Sequence, residues 1–175
     1  MHEYEFTLKF LLPSHALDPA EHLEALGEAG CDDALVGVGQ PGRIALDFTR
    51  AAHSAFAAVA SAVRDVRKAI PDAVLAEAGP DFVGLTDVAD IAGCTRQNMR
   101  KLMLANIATF PSAVHDGNPA LWHLASVLEW LARQERPVDA SLLAVARATM
   151  KLNIAKETRQ LSGATLPSDL ERLFS

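Results

Sequence analysis

The stretch from residue 85 to residue 103, LTDVADIAGCTRQNMRKLM, restricts the possible fold more than any other part of the chain. Thr86 is a good N-cap for a short helix, and Gly93 allows the left-handed turn that ends it. Thr95 then caps a second helix, whose apolar residues recur at the spacing of one helix face: Met99, Leu102 and Met103. Two short helices joined by a tight glycine turn are typical of a helix-turn-helix.

The second helix is expected over residues 95–103, and its outer face is polar without an acidic residue. The outward residues are Arg96, Gln97, Asn98, Arg100 and Lys101. Such side chains form hydrogen bonds with base edges and phosphates in DNA. The alternative interpretation is an ordinary pair of helices with a solvated polar face, because short turns containing glycine occur in many helical proteins.

The following residues suggest a short hairpin and then another helix. Asp116-Gly117 is a hairpin-turn signal, and helical spacing resumes over residues 125–131. Residues 84–133 resemble the excisionase/AlpA-like and MerR-like winged helix-turn-helix domains of bacterial regulators. The resemblance rests on LTDVADIAGCTRQNMRKL, on FPSAV before the wing, and on LWHLASVLEWL after it.

The resemblance implies a sequence-specific, double-stranded DNA-binding transcriptional regulator, such as a repressor, an antitoxin-like protein or a phage-derived switch. In that family the second helix enters the major groove, and the wing reaches the neighbouring backbone or minor groove. The implied contacts from the reading helix are Thr95, Arg96, Gln97, Asn98, Arg100 and Lys101. Those on or beside the wing are His115, Asn118 and His123. Family members often carry arginine after the wing's tryptophan, where this chain has His123.

The first half of the chain alternates between strand and helix periodicity. Residues 3–12 place apolar side chains at every second position, as a half-buried strand does. Runs at 34–39 and 43–48 flank a Pro-Gly turn, and a strand is expected at 73–78. The helix before that strand has an apolar stripe of Phe56, Val59, Val63, Val66 and Ile70. The order βαββαβ predicts an α+β protein with a ferredoxin-like domain over residues 1–80.

Charge is distributed unevenly along the chain, whose net charge is -6. Residues 1–83 contain 13 acidic and 6 basic side chains, whereas residues 84–136 contain 5 of each and residues 137–175 contain 4 and 5. A phosphate-bearing partner would therefore be repelled by the first part and would meet the second. The change in composition also places a domain boundary between residues 80 and 84.

Residues 137–175 form the third predicted segment, with one helix from Asp139 to about Leu161. Its apolar positions occupy two adjoining faces: Leu142, Val145, Thr149 and Leu152, then Leu143, Ala146, Met150 and Ile154. A small winged domain cannot cover so wide a surface by itself. The helix either packs back onto its own chain or forms a homodimer, and the second is favoured because helix-turn-helix proteins usually bind as twofold pairs. Leu166, Leu170, Leu173 and Phe174 are expected to form a short terminal anchor.

Enzyme chemistry finds little support in the sequence. The six histidines are scattered, and the two cysteines, Cys31 and Cys94, fit neither a metal site nor a disulfide framework. We therefore expect no enzyme activity, no cofactor and no metal, in a cytoplasmic protein without a membrane span. Trp122 and Trp130 are expected in the core. Two other functions stay open: a protein-interaction or assembly module, and a sensor that holds a small-molecule or protein effector on the acidic N-terminal domain.

Overall fold

The structure is a computed structural model that describes residues 1–161, and it is a mixed α+β fold. The strands are β1 His2–Leu11, β2 Ala34–Gly37, β3 Arg43–Ala52, β4 Val74–Gly79, β5 Phe82–Val83 and β6 Trp122–His123. The helices are α1 Leu23–Ala29, α2 Ala55–Ala69, α3 Leu85–Ile91, α4 Arg96–Ala105, α5 Leu124–Arg133 and α6 Ala140–Leu161. Within this range, no helix combines the length and the apolar character that crossing a membrane requires. The predicted terminal anchor, Leu166 to Phe174, lies outside the described residues.

A four-stranded antiparallel sheet with the order β2-β3-β1-β4 forms the N-terminal unit. The alternation over residues 3–12 is confirmed as β1, whose inward side chains Tyr4, Phe6, Leu8 and Phe10 are all buried. The hairpin around Pro41-Gly42 is confirmed too, although β3 runs to Ala52 rather than to residue 48. The longer strand adds one inward polar residue, Arg50.

Helices α1 and α2 contribute to the same core as the inward face of the sheet. The buried face of α2 consists of small residues: Ala55, Ala58, Val59, Ala62, Val63 and Val66. Phe56 was expected on this stripe, but it is exposed, so that part of the prediction is wrong. Alanine lets the helix backbone approach the sheet closely, and a phenylalanine at position 55 or 58 would not fit there.

Helices α3, α4 and α5 form a second unit with the short antiparallel ladder of β5 and β6. Its core holds Val88 and Ala89 from α3, Met99 from α4, and both tryptophans. Trp122 and Trp130 are buried, as the apolar runs around them predict. The unit therefore orders its elements as strand, two helices, an extended segment, strand and helix.

Helix α6 packs against both units of its own chain. Val145 and Ala148 lie in the core of the N-terminal unit, whereas Ala146 lies in the core of the second unit. Contacts within the chain therefore cover most of the predicted apolar surface of α6. Ile154 is the exception, since it was expected on one of these faces but is exposed. Homodimer formation stays a prediction.

Candidate nucleic-acid interface

The turn between α3 and α4 is tight and internally hydrogen bonded. Gly93 adopts φ +65°, a left-handed conformation that favours glycine. The Cys94 amide donates to the Ala89 carbonyl at 2.9 Å, which closes the turn. At the start of α4, the Thr95 hydroxyl accepts a hydrogen bond from the Asn98 amide at 3.2 Å. Thr95 is thus a helix cap in this structure, and its side-chain oxygen serves the backbone of α4.

The outer face of α4 presents basic and amide side chains in two adjacent rows. Arg96 and Arg100 form one row with i, i+4 spacing, and Gln97 and Lys101 form the next. All four are exposed, while Met99 on the opposite side is fully buried. Within residues 1–161, neither arginine nor the lysine forms an ion pair. The helix is anchored on one side and leaves its charged side free for a partner.

Two residues that were not predicted from the sequence also lie at the outer face of α4. Arg136, from the connection between α5 and α6, lines a groove with Asn98, Lys101 and Ala105. Leu104 lies between the two polar rows and is 52% exposed. Helical spacing from Gln97 and Arg100 could have identified Leu104, but Arg136 comes from a distant segment that only the tertiary fold places beside α4.

The segment that corresponds to the predicted wing is short. His115 forms an antiparallel bridge with Leu121, and the intervening residues make an exposed loop. Asn118 lies in this loop, and the His115 ring lies over Gly117, where a methyl group would overlap it. His115 and Asn118 are both exposed, on a loop separate from α4 in sequence.

His123 occupies a different environment from the other predicted contacts. Its side chain is only 15% exposed, and Nδ1 lies 2.7 Å from the fully buried Asp81 carboxylate. A carboxylate oxygen accepts hydrogen bonds, so Nδ1 is the donor when Asp81 is ionised. The ring also packs against Phe82, with a centroid distance of 5.2 Å. These contacts give His123 a positioning role at the base of the second unit.

The two tryptophans hold the segment that follows α4. Trp122 Nε1 donates to the Pro111 carbonyl at 3.1 Å, and Trp130 Nε1 donates to the Thr109 hydroxyl at 3.2 Å. Phe110 packs edge-on against both rings. This cluster fixes the position at which the chain leaves α4, and therefore restrains the direction of that helix.

The other concentration of charge is a buried structural cluster around Arg50. Its guanidinium bonds both carboxylate oxygens of Asp33 and one of Asp65. Burial alone would lower the pKa of Arg50, but its hydrogen bonds to these carboxylates outweigh burial and raise the pKa. Nearby, burial raises the pKa of the Cys31 thiol to about 11, although the Arg50 charge acts in the opposite direction. Cys31 therefore stays a neutral, weakly nucleophilic thiol at physiological pH.

Neither metal-binding groups in the described residues nor similarity to known proteins indicates a function. No group of three or more histidine, cysteine, aspartate or glutamate side chains within residues 1–161 is placed to hold a metal ion. Comparison of the chain with protein-family models, with curated proteins and with solved structures finds no significant match.

Proposed function

We propose that this chain is a sequence-specific, double-stranded DNA-binding transcriptional regulator. In this proposal the N-terminal unit is a ferredoxin-like domain, the second unit is a winged helix-turn-helix, and α4 enters the major groove. The sheet order β2-β3-β1-β4 with two helices on one face supports the first assignment. The α3–α4 turn, followed by the bridge at His115 and Leu121, supports the second.

The observation that carries the proposal is the outer face of α4, which has no acidic residue and whose cations form no ion pair within residues 1–161. Like charges at i, i+4 destabilise a helix, yet Arg96 and Arg100 occupy this spacing without an acidic partner among the described residues. Arginine binds guanine O6 and N7 with two hydrogen bonds, and glutamine can bind adenine in the same way. Leu104 offers an apolar contact for a thymine methyl group.

The remaining predicted contacts take supporting roles in this proposal. Thr95 and Asn98 begin the helix, and Lys101 and Arg136 lie on the flank where phosphates would pass. His115 and Asn118 contact the neighbouring backbone from the exposed loop, and His123 orients the strand below it. A homodimer would place two copies of α4 on adjacent half-sites.

The first prediction concerns base recognition. Selection from a randomised duplex library should yield a preferred sequence, whose affinity is then measured by fluorescence anisotropy beside a scrambled duplex. Arg96→Ala and Gln97→Ala should each weaken the preferred complex by roughly 5- to 150-fold, the loss of about 1–3 kcal/mol expected for a bidentate base contact. Binding to the scrambled duplex should change much less, because phosphate contacts dominate there.

Arg64→Ala is the matched control, since Arg64 is exposed on α2 of the other unit. It should bind both duplexes as the wild type does. If Arg96→Ala and Gln97→Ala fold normally and keep full affinity for the selected duplex, α4 does not read DNA. The helical pair would then be better explained as a protein-interaction surface, as it would if the library yielded no enriched sequence.

The second prediction separates a phosphate contact from a base contact. Lys101→Ala should weaken binding to the preferred and scrambled duplexes by a similar factor, because an ammonium group on a flexible stem acts as a point charge. The slope of log affinity against log salt should become shallower by about one unit. Affinities measured at several salt concentrations test this directly. An unchanged slope with a selective loss for the preferred duplex would instead assign Lys101 to base recognition.

A further inference from the structure

A groove of about 600 Å³ lies between the end of α2, the start of β4 and the last turns of α6. Its apolar lining includes Val63 from α2, Leu75 from β4, and Leu152 and Ala155 from α6. Small-molecule sites commonly measure ~300–1,000 Å³ and combine an apolar lining with a few convergent polar groups. The volume of this groove therefore lies within the range of small-molecule sites, and its lining combines apolar and polar residues.

The charge of the groove is opposite to that of the unit on which it lies. Residues 1–83 carry 13 acidic and 6 basic side chains, but the groove is lined by Arg67, Lys156 and Arg159 against the single acid Asp72. The Lys156 ammonium is partly engaged, because it donates to the Ala76 carbonyl and pairs with Glu157. Arg67 and Arg159 form no ion pair within residues 1–161. Two guanidinium groups thus border the groove, and neither pairs with a carboxylate among residues 1–161.

We propose that this groove binds an amphipathic organic anion, an apolar chain or ring system that carries one carboxylate. The apolar part would lie against Leu75 and Leu152, and the carboxylate would accept hydrogen bonds from Arg67 and Arg159. Guanidinium groups are suited to this role because their fork of donors matches the two carboxylate oxygens. The proposal is independent of DNA binding and can be tested without DNA.

The probe is decanoate, titrated calorimetrically into the full chain, with decyltrimethylammonium as a probe of similar length and opposite charge. For a ligand of this size we expect a dissociation constant on the order of 0.1–1 mM. The cation should bind at least roughly tenfold more weakly, since it would meet the basic rim. Changes in methyl NMR signals should concentrate at Val63, Leu75 and Leu152.

The double variant Arg67→Gln/Arg159→Gln should weaken decanoate binding by roughly tenfold, because it removes both carboxylate contacts. Arg64→Gln/Lys151→Gln is the control, as it removes one charge from each of the same two helices at exposed positions outside the groove. This control should bind decanoate as the wild type does. Ala155→Phe should block the groove and abolish binding, and its thermal melting temperature should stay near that of the wild type because Ala155 is exposed.

Several results would overturn the proposal. One is the absence of decanoate binding to the wild type at a decanoate concentration of about 10 mM, tenfold above the highest expected dissociation constant. Others are a cation that binds as tightly as decanoate, and equal losses of affinity in the groove and control double variants. NMR changes confined to another part of the chain would also reject the groove as the site. Loss of binding in Ala155→Phe counts as support only when the melting temperature shows that the variant is folded.

Discussion

Replacement of Arg50 by methionine is expected to lower the free energy of unfolding by about 3 kcal/mol, as in the disruption of a buried charge pair. Besides Asp33 and Asp65, the guanidinium bonds the Ser61 hydroxyl at 3.1 Å and the Gly30 carbonyl at 2.6 Å. The arginine therefore links β3 to α2 and to the loop after α1. Its removal leaves two facing carboxylates without their cation. The expected loss is at the lower end for such pairs because Asp33 and Asp65 are 30% and 29% exposed.

Urea unfolding measures this loss, and Arg43→Met is the matched control. Arg43 starts the same strand but is exposed, so the control should change stability by less than about 0.5 kcal/mol. Asp33→Asn/Asp65→Asn added to Arg50→Met should recover part of the loss, since the carboxylate charges are removed as well. Equal losses for Arg43→Met and Arg50→Met would contradict a stabilising role for the buried cluster.

The sequence predicted those helices, strands and turns that depend on residues close together along the chain. Alternation defined β1, a Pro-Gly pair defined the hairpin, and the Asp139 side chain caps α6 as expected, accepting from the Leu142 amide at 2.9 Å. The prediction that Thr86 caps α3 was wrong. The helix begins at Leu85, and the Gly84 amide donates to Asp87 at 2.7 Å. Thr86 therefore lies inside the first turn and cannot cap the helix, while Asp87 at N3 accepts from the amide of the N-cap residue Gly84.

The errors on β3 and α2 have a common physical origin, because burial depends on neighbours that a local pattern does not contain. The predicted strand covered residues 43–48, yet β3 continues through Arg50, which is buried because two distant acids pair with it. Phe56 was placed on the apolar stripe of its helix, yet Ala55 and Ala58 face the sheet and Phe56 is exposed. Hydrophobicity alone cannot identify either case.

In the candidate interface, too, local spacing predicted some features, whereas others depend on residues distant in sequence. The outward set on α4 follows from helical spacing around Met99, and the structure places Arg96, Gln97, Arg100 and Lys101 on one exposed surface. His123 looked equivalent to the other polar residues in the sequence, but it lies against Asp81, 42 positions earlier. The same limitation applies to α6, whose two predicted apolar faces do not correspond to the two cores. Leu142 was placed beside Val145 but packs with the second core, and Ile154 is exposed. The domain boundary expected between residues 80 and 84 stays a prediction, and α6 contributes to the cores of both units.

The second large effect is expected at Asn153, where α6 holds the edge of the N-terminal sheet to the second unit. Its carboxamide oxygen accepts from the Ala78 amide at 2.9 Å, and its nitrogen donates to the Ala78 carbonyl and to Asp81 at 2.8 and 2.7 Å. Asp81 in turn accepts from His123 at the base of β6. Asn153→Leu would leave these buried groups without their partner. We expect a loss of about 3 kcal/mol in unfolding free energy, since each unsatisfied buried group costs ~1–3 kcal/mol.

The position of Asn153 adds a second expected result, because it tests whether the two units unfold together. Calorimetry of the wild type should give one transition, whereas Asn153→Leu should broaden or divide it, as the units lose their buried polar connection. Asn98→Leu, at an exposed position on α4, should keep one transition and stay within about 0.5 kcal/mol of the wild type. Thr149→Val removes the nearby 2.7 Å hydrogen bond to the Pro80 carbonyl and should cost about 1 kcal/mol without dividing the transition. A single sharp transition with wild-type stability in Asn153→Leu would show that apolar packing of α6 is sufficient to hold the second unit in place.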